Sequence, residues 1–146
     1  MQLTVFTDYG MRGLMFLAAH PARLCSVREI ADHYGISYNH LVKVAHRLAQ
    51  LGYVESVKGK GGGLRLARKA DKLKLGDLVR ALEPNMDLVE CFNRDTNTCR
   101  IASDCRLKHY LMEANEAFIR TLNGYTLADA TRDQFLFAVT PAGKTV

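Results

Sequence analysis

Three cysteines, Cys91, Cys99 and Cys105, lie within fifteen residues in the second half of the chain. Thiolates are soft metal ligands, and clustered cysteines in a chain that starts without a secretion signal favour a metal over a structural disulfide. The pattern C-x7-C-x5-C contains no C-x2-C pair, which a structural zinc site usually uses. Wider spacing on an irregular segment suits an iron–sulfur cluster, whose irons are held by thiolates.

Two alternatives for these cysteines stay open on spacing alone. One is a Cys3His zinc site in which His109, four residues beyond Cys105, is the fourth ligand. The other is a regulatory disulfide between two of the three cysteines. Spacing leaves the cluster and the zinc site level, with the disulfide behind. Cys25 stands apart from the others, and we predict that it is a small buried hydrophobic residue.

The charge of the chain is unevenly distributed. Residues 1–80 carry thirteen Lys and Arg against six Asp and Glu, whereas residues 81–146 carry seven against nine. A basic first half predicts a polyanionic partner, because cationic side chains neutralise phosphates and release counterions. A solvated basic face is the alternative, and charge alone does not separate the two. The chain has no membrane-length apolar stretch and no signal-peptide pattern, which predicts a cytoplasmic protein.

A helix-turn-helix is predicted in the first half. Ser26 to Glu29 matches a capping box that opens a short helix, Gly35 suits a tight turn, and Ser37 caps a second helix to about Gln50. The second helix of such a motif enters the major groove, although an ordinary helical hairpin is the alternative. The candidate contacts with DNA in this motif are Arg28, Ser37, Tyr38, Asn39, His40 and Lys43.

A basic β-hairpin is predicted from Tyr53 to Leu66. Two short strands flank the hexapeptide KGKGGG, and Lys58, Lys60 and Arg65 supply positive charge. A basic hairpin after a helix-turn-helix is typical of a wing, which lies on the DNA backbone or in the minor groove. The glycines do not form a nucleotide-binding loop, because Leu and Arg stand where that motif requires Lys and Ser or Thr.

The remaining elements are predicted to be helical. The predicted segments are Thr7–His20 with Thr7 as its N-cap, Lys74–Glu83, Arg106 to about Asn123, and a short turn at Thr126–Ala130. The long helix has a broad apolar stripe and is predicted to form a dimer, with packing onto its own domain as the alternative. The chain thus divides into a winged helix-turn-helix (1–83), a cluster-binding loop (84–105), and a dimerisation helix with a loose tail from Pro141 (106–146). The fold class expected is mainly α with a small β-hairpin wing.

Several longer motifs identify a family. These are QLTVFTDYGMR at the start, YGISYNHLVKV, VKGKGGGLRL, LGDLVRALEP, LVEC, CRLK and LNGYTLAD. Together they resemble the NsrR-type nitric-oxide-sensing repressors, within the winged-helix iron–sulfur family that also contains the IscR regulators. The resemblance covers residues 2 to about 130.

The resemblance implies a homodimer whose subunits each carry an iron–sulfur cluster, [4Fe–4S] or in some preparations [2Fe–2S]. Its thiolate ligands would be Cys91, Cys99 and Cys105, and its fourth ligand Asp8 of the partner subunit. IscR-type relatives use a His three residues after the third Cys, where this chain has Lys108, and this departure favours Asp8. A helix-start carboxylate without a metal role is the alternative for Asp8.

The function expected is that of a DNA-binding repressor on a palindromic operator, released when nitric oxide attacks the cluster. The alternative is a zinc-stabilised winged-helix binding module without a sensing role. An enzyme is not expected, because no pairing of a nucleophile with a base is apparent.

Overall fold

The computed structural model describes residues 2–133 and 137–138. Its helices are α1 (Val5–Ala19), α2 (Val27–Tyr34), α3 (Tyr38–Gln50), α4 (Leu75–Leu82), α5 (Arg106–Leu122) and α6 (Leu127–Ala130), and its strands are β1 (Val54–Val57) and β2 (Gly63–Leu66). The fold class predicted from the sequence is confirmed. None of the described helices is long and apolar enough to cross a membrane. The predicted loose tail, residues 141–146, lies outside the described residues.

The first helix begins earlier than predicted. Thr4 is its N-cap, and the Thr4 hydroxyl accepts a hydrogen bond from the Thr7 backbone N–H at 3.2 Å. The prediction that Thr7 caps the helix is therefore wrong; Thr7 is fully buried in the first turn. The carboxylate of Glu83 accepts from the backbone N–H of Thr4 at 2.8 Å and from its hydroxyl at 3.1 Å. This contact with the residue after α4 fixes the cap one turn before the predicted position.

The helix-turn-helix forms as predicted, with one difference in its capping. The Ser26 hydroxyl accepts from the Glu29 backbone N–H at 3.0 Å, but the Glu29 carboxylate pairs with Arg23 at 2.6 Å. Hydrogen bonds from Arg23 lower the pKa of Glu29. Gly35 has φ 62° and connects the helices, and the Ser37 hydroxyl caps α3 by accepting from the His40 N–H. The turn geometry that fixes α3 thus follows from these local signals.

The core lies between α1, α2, α3, α4, α6 and the base of the wing. Its fully buried side chains include Leu14, Phe16, Ile30 and Val44. Cys25 is also fully buried, as predicted, and burial raises the pKa of its thiol. The backbone of Cys25 pairs with that of Leu64 in two hydrogen bonds of 2.8 and 2.9 Å. These bonds attach the segment before α2 to the antiparallel β1–β2 hairpin and orient the wing relative to the helix-turn-helix.

Helix α4 packs against α5 with their backbones in close approach. A Cβ at Gly76 would lie 2.6 Å from the Ile119 carbonyl oxygen, so only glycine fits. The amide of Asn123 accepts from the Asp77 N–H and donates to the Asp77 carboxylate, both at 3.0 Å. Asn123, at the end of α5, thereby accepts from a backbone N–H in the first turn of α4 that has no partner within its own helix.

The apolar stripe of α5 is only partly covered by the rest of the described structure. Ile119 is the one buried residue of this helix, whereas Leu107 is 63% and Tyr110 62% exposed. An ordinary surface helix buries its apolar face against the core. Packing onto its own domain therefore covers part of the stripe and leaves Leu107 and Tyr110 exposed in the part of the chain that the structure describes.

We expect Gly76→Ala to destabilise the protein, because the added methyl group meets the backbone of α5. Overpacking of this kind costs about 1–3 kcal/mol. Gly13→Ala is the matched control: its Cβ would make only an ordinary contact, 3.9 Å from Leu41, and alanine is the better helix former by up to about 1 kcal/mol. Urea unfolding of both variants measures the difference. Equal stability of the two would contradict the close approach.

Candidate nucleic-acid interface and cysteine segment

Helix α3 exposes two chemically different flanks. Its buried face carries Leu41, Val44 and Leu48. Residues four apart share a flank of a helix, which places Tyr38 with Val42 on one side and Lys43 with Arg47 on the other. All four of these side chains are exposed, and the helix contains no acidic residue. The exposed surface of α3 therefore offers apolar groups beside cationic ones, which suits contact with bases and phosphates.

Arg28 and Tyr38 form one unit across the turn. The guanidinium carbon of Arg28 lies 3.9 Å from the centroid of the Tyr38 ring. A cation over an aromatic face contributes about 0.5–1 kcal/mol at an exposed site. The stack holds the first residue of α3 against α2. Arg28 and Tyr38 were each proposed from the sequence as a contact with DNA. The structure brings them together in a stack that the sequence pattern does not predict.

The remaining candidates on α3 differ in how freely they are presented. Asn39 and Lys43 are exposed, as is Ser37, whose hydroxyl is used as the cap. The imidazole of His40 is half-buried, with its ring centroid 5.0 Å from that of Tyr9 and 6.3 Å from that of Phe6. His40 therefore also packs α3 onto α1.

The tip of the wing presents two cations. Lys58 and Lys60 are exposed, and neither has an ion-pair partner among the described residues. Arg65 instead pairs with Glu55 across the hairpin at 2.7 Å. The glycines of the tip serve the turn itself: Gly59 and Gly61 have positive φ angles of 97° and 76°. The structure thus favours the two lysines over Arg65 as groups available to a phosphate.

The three clustered cysteines lie on one irregular segment between α4 and α5. Cys91 is in a 3-10 turn, Cys99 is in a loop, and Cys105 is the N-cap of α5. All three thiols are free and half-buried. The hydroxyl of Thr98 donates to the Glu90 carboxylate at 3.1 Å, so the neighbours of Cys99 and Cys91 lie side by side.

Asp8 lies on a different element from these cysteines. It is in the first turn of α1, and its carboxylate pairs with Arg12 at 2.8 Å. Its side chain is 45% exposed. Sequence analysis missed Arg12, although opposite charges four residues apart on a helix are a recognisable signal.

The donor set fits an iron–sulfur cluster in its chemistry. Three accessible thiols, none of them in a disulfide, are the ligands that such clusters use. A cavity of about 760 Å³ lies between the segment and α5, with Phe92, Ala102 and Met112 in its wall, and none of the three cysteines lines it. The side-chain amide oxygen of Asn115, in the same wall, is buried and has no hydrogen-bond partner among the described residues. Within the described residues, no three His, Cys, Asp or Glu side chains are arranged to hold a metal ion.

Fold and surface together define a winged-helix transcriptional regulator that binds DNA. The sequence profile of the Rrf2 family, described as "Iron-dependent Transcriptional regulator", matches residues 3–133. The chain belongs to this family. Its resemblance to NsrR-type regulators, inferred from the sequence motifs, is also confirmed by the relatives below.

The chain is 50% identical over 130 residues to the HTH-type transcriptional regulator NsrR of Shouchella clausii, covering 88% of this chain and 87% of that one. It is 49% identical to the NsrR of Halalkalibacterium halodurans, covering 88% and 89%. Among solved structures, IscR of T. potens superposes with a TM-score of 0.73 at 26% identity, covering 91% of this chain and 88% of that one. The family model and the two NsrR relatives are described as transcriptional regulators, which agrees with the prediction that the chain is not an enzyme.

We expect Lys58→Ala and Lys60→Ala each to weaken DNA binding and to flatten its dependence on salt. Each phosphate contact adds about 0.9 to the slope of log affinity against log salt concentration, so each variant should lose about that amount for every subunit bound to the duplex. Fluorescence anisotropy with a labelled duplex at several salt concentrations gives the slopes. Lys72→Ala, an exposed lysine outside the wing, is the control, and equal slopes in all three variants would refute the wing assignment.

Proposed function

We propose that the protein is a transcriptional repressor whose operator affinity is controlled by an iron–sulfur cluster that reacts with nitric oxide. The observation that carries the proposal is the position of the three free thiols. They occupy the one irregular segment that joins the last helix of the DNA-binding unit, α4, to the long helix α5. A change in the conformation of that segment acts directly on both helices.

The proposal assigns Cys91, Cys99 and Cys105 as ligands, with Asp8 of the partner subunit as the fourth. When bound, such a cluster would supply thiolate-held irons that can react with nitric oxide. Cys105 begins a 17-residue helix, whose positive end stabilises negative charge on a bound group. Asp8 is exposed and within one turn of Arg12, so a released Asp8 carboxylate has an alternative partner in its own helix.

A homodimer is part of the proposal. The exposed apolar side chains of α5 supply a surface that a second copy would cover. In a symmetric dimer the same face of α5 is used by both subunits. Two α3 helices would then reach successive major grooves about 10 base pairs apart on a palindromic operator. The candidate contacts are those of the helix-turn-helix and wing, with Arg65 tied to Glu55 in the free protein.

The proposed sensing is tested on full-length protein purified without oxygen. We expect stoichiometric iron and sulfide, together with tight binding to a duplex selected from a random pool. Nitric oxide should weaken that binding by 5–150-fold, which corresponds to a coupling of about 1–3 kcal/mol. A colourless protein with stoichiometric zinc would instead support a binding module without a sensing role. Unchanged DNA affinity after nitrosylation would refute the sensor.

The assignment of Asp8 is tested by Asp8→Ala. We expect a folded dimer that loses its cluster faster than the wild type, because one ligand position is left to solvent. Asp32→Ala removes an exposed helical carboxylate from α2 and is the matched control. Absorbance of the cluster over time, with circular dichroism for folding, separates the two variants. Wild-type cluster spectra and lifetime in Asp8→Ala would show that Asp8 is not the ligand.

A further inference from the structure

Helix α3, the second helix of the helix-turn-helix, carries an exposed apolar side chain on a surface where polar residues would favour solubility. Val42 is 40% exposed, and it lies one turn after Tyr38, which is 36% exposed. Single exposed apolar residues are ordinary on protein surfaces. Two on the same flank of a helix that is expected to enter the major groove are more informative.

The flank containing Val42 is held in place by α2. The Arg28 guanidinium lies 3.9 Å above the Tyr38 ring, so the aromatic residue that precedes Val42 on this flank is fixed by a contact between the two helices. On the buried side, Leu41 and Val44 are almost inaccessible and anchor the backbone on both sides of Val42. The Val42 methyl groups are therefore presented from a rigid element.

The basic residues around Val42 favour a nucleic acid over a protein as the partner of this surface. The opposite flank of α3 carries Lys43 and Arg47, and the wing carries Lys58 and Lys60. This basic surround matches a phosphate backbone on either side of a groove. In that groove the one apolar group on a base-pair edge is the C5 methyl of thymine.

We propose that Val42 reads the methyl group of a thymine in each half-site of the operator. The contact rests on the proposed DNA-binding function and deepens it by naming a specificity-determining residue. Val42 buries its methyl groups against that of the base, whereas Lys43 and Arg47 on the other flank face phosphates. Tyr38 and Arg28 act as positioning residues that fix this flank of α3.

The test replaces thymine with uracil, which removes only the C5 methyl group. Full-length protein isolated without oxygen is first used to select a duplex from a random pool, and each thymine of the selected site is then changed in turn. For the wild type we expect one position per half-site at which uracil weakens binding about fourfold, the equivalent of about 0.8 kcal/mol for one methyl group.

Val42→Ala should bind the thymine duplex more weakly and lose the sensitivity to uracil at that position. Val5→Ala, an exposed valine on α1 (51%) outside the helix-turn-helix and the wing, is the matched control and should retain the sensitivity. A wild type indifferent to uracil at every position, or a Val42→Ala variant with the full fourfold effect, would overturn the inference. A wild type that enriches no sequence from the pool would instead overturn the proposed function, so the two failures are distinguishable.

Discussion

The close approach of α4 to both of its neighbours is the constraint on which the arrangement of this protein depends. On one side Gly76 allows the backbone of α5 to pass with no room for a side chain; on the other, the end of the Leu82 side chain packs against Gly10 of α1, where a Cβ would lie 2.7 Å from it. Helices in such contact move as one body, because interiors at native density cannot deform continuously. The long helix is thereby fixed relative to the helix that begins the DNA-binding unit.

Much of the DNA-binding unit could be predicted from the sequence because its signals are local. Ser26, Gly35 and Ser37 mark helix boundaries through contacts within three residues, and the structure has those boundaries. The start of α1 was predicted wrongly because its cap is set by Glu83, 79 residues away from Thr4. A Thr-x-x-Thr pattern fits a cap at either threonine, and only the tertiary partner distinguishes them.

In the candidate interface, too, features set by neighbouring residues could be predicted from the sequence, whereas features set by tertiary packing could not. Exposure of Lys58 and Lys60 follows from their place in a glycine-rich turn, which the sequence predicts. The stack of Arg28 on Tyr38 and the pairing of Arg65 with Glu55 depend on how α2 meets α3 and on strand register. The same limit holds for the cysteines: their number and free thiols suit a cluster, but their positions relative to one another depend on a long segment that follows no helical or strand period.

Communication between the cysteine segment and the DNA-binding surface needs only modest energy. The Arg80–Glu116 pair joins α4 to α5 at 2.8 Å, but both side chains are about half exposed or more, and exposed pairs contribute about 0–1 kcal/mol. The backbone contact at Gly76 and the bonds of Asn123 to Asp77 are the stronger constraint, because they leave no room for α5 to slide. Glu83 extends this rigid unit to Thr4 at the start of α1, one turn before Asp8. In the proposed dimer, a displacement of Asp8 therefore moves α1, α4 and α5 together, because these helices are in close contact. The helix-turn-helix, which packs on α1, moves with them.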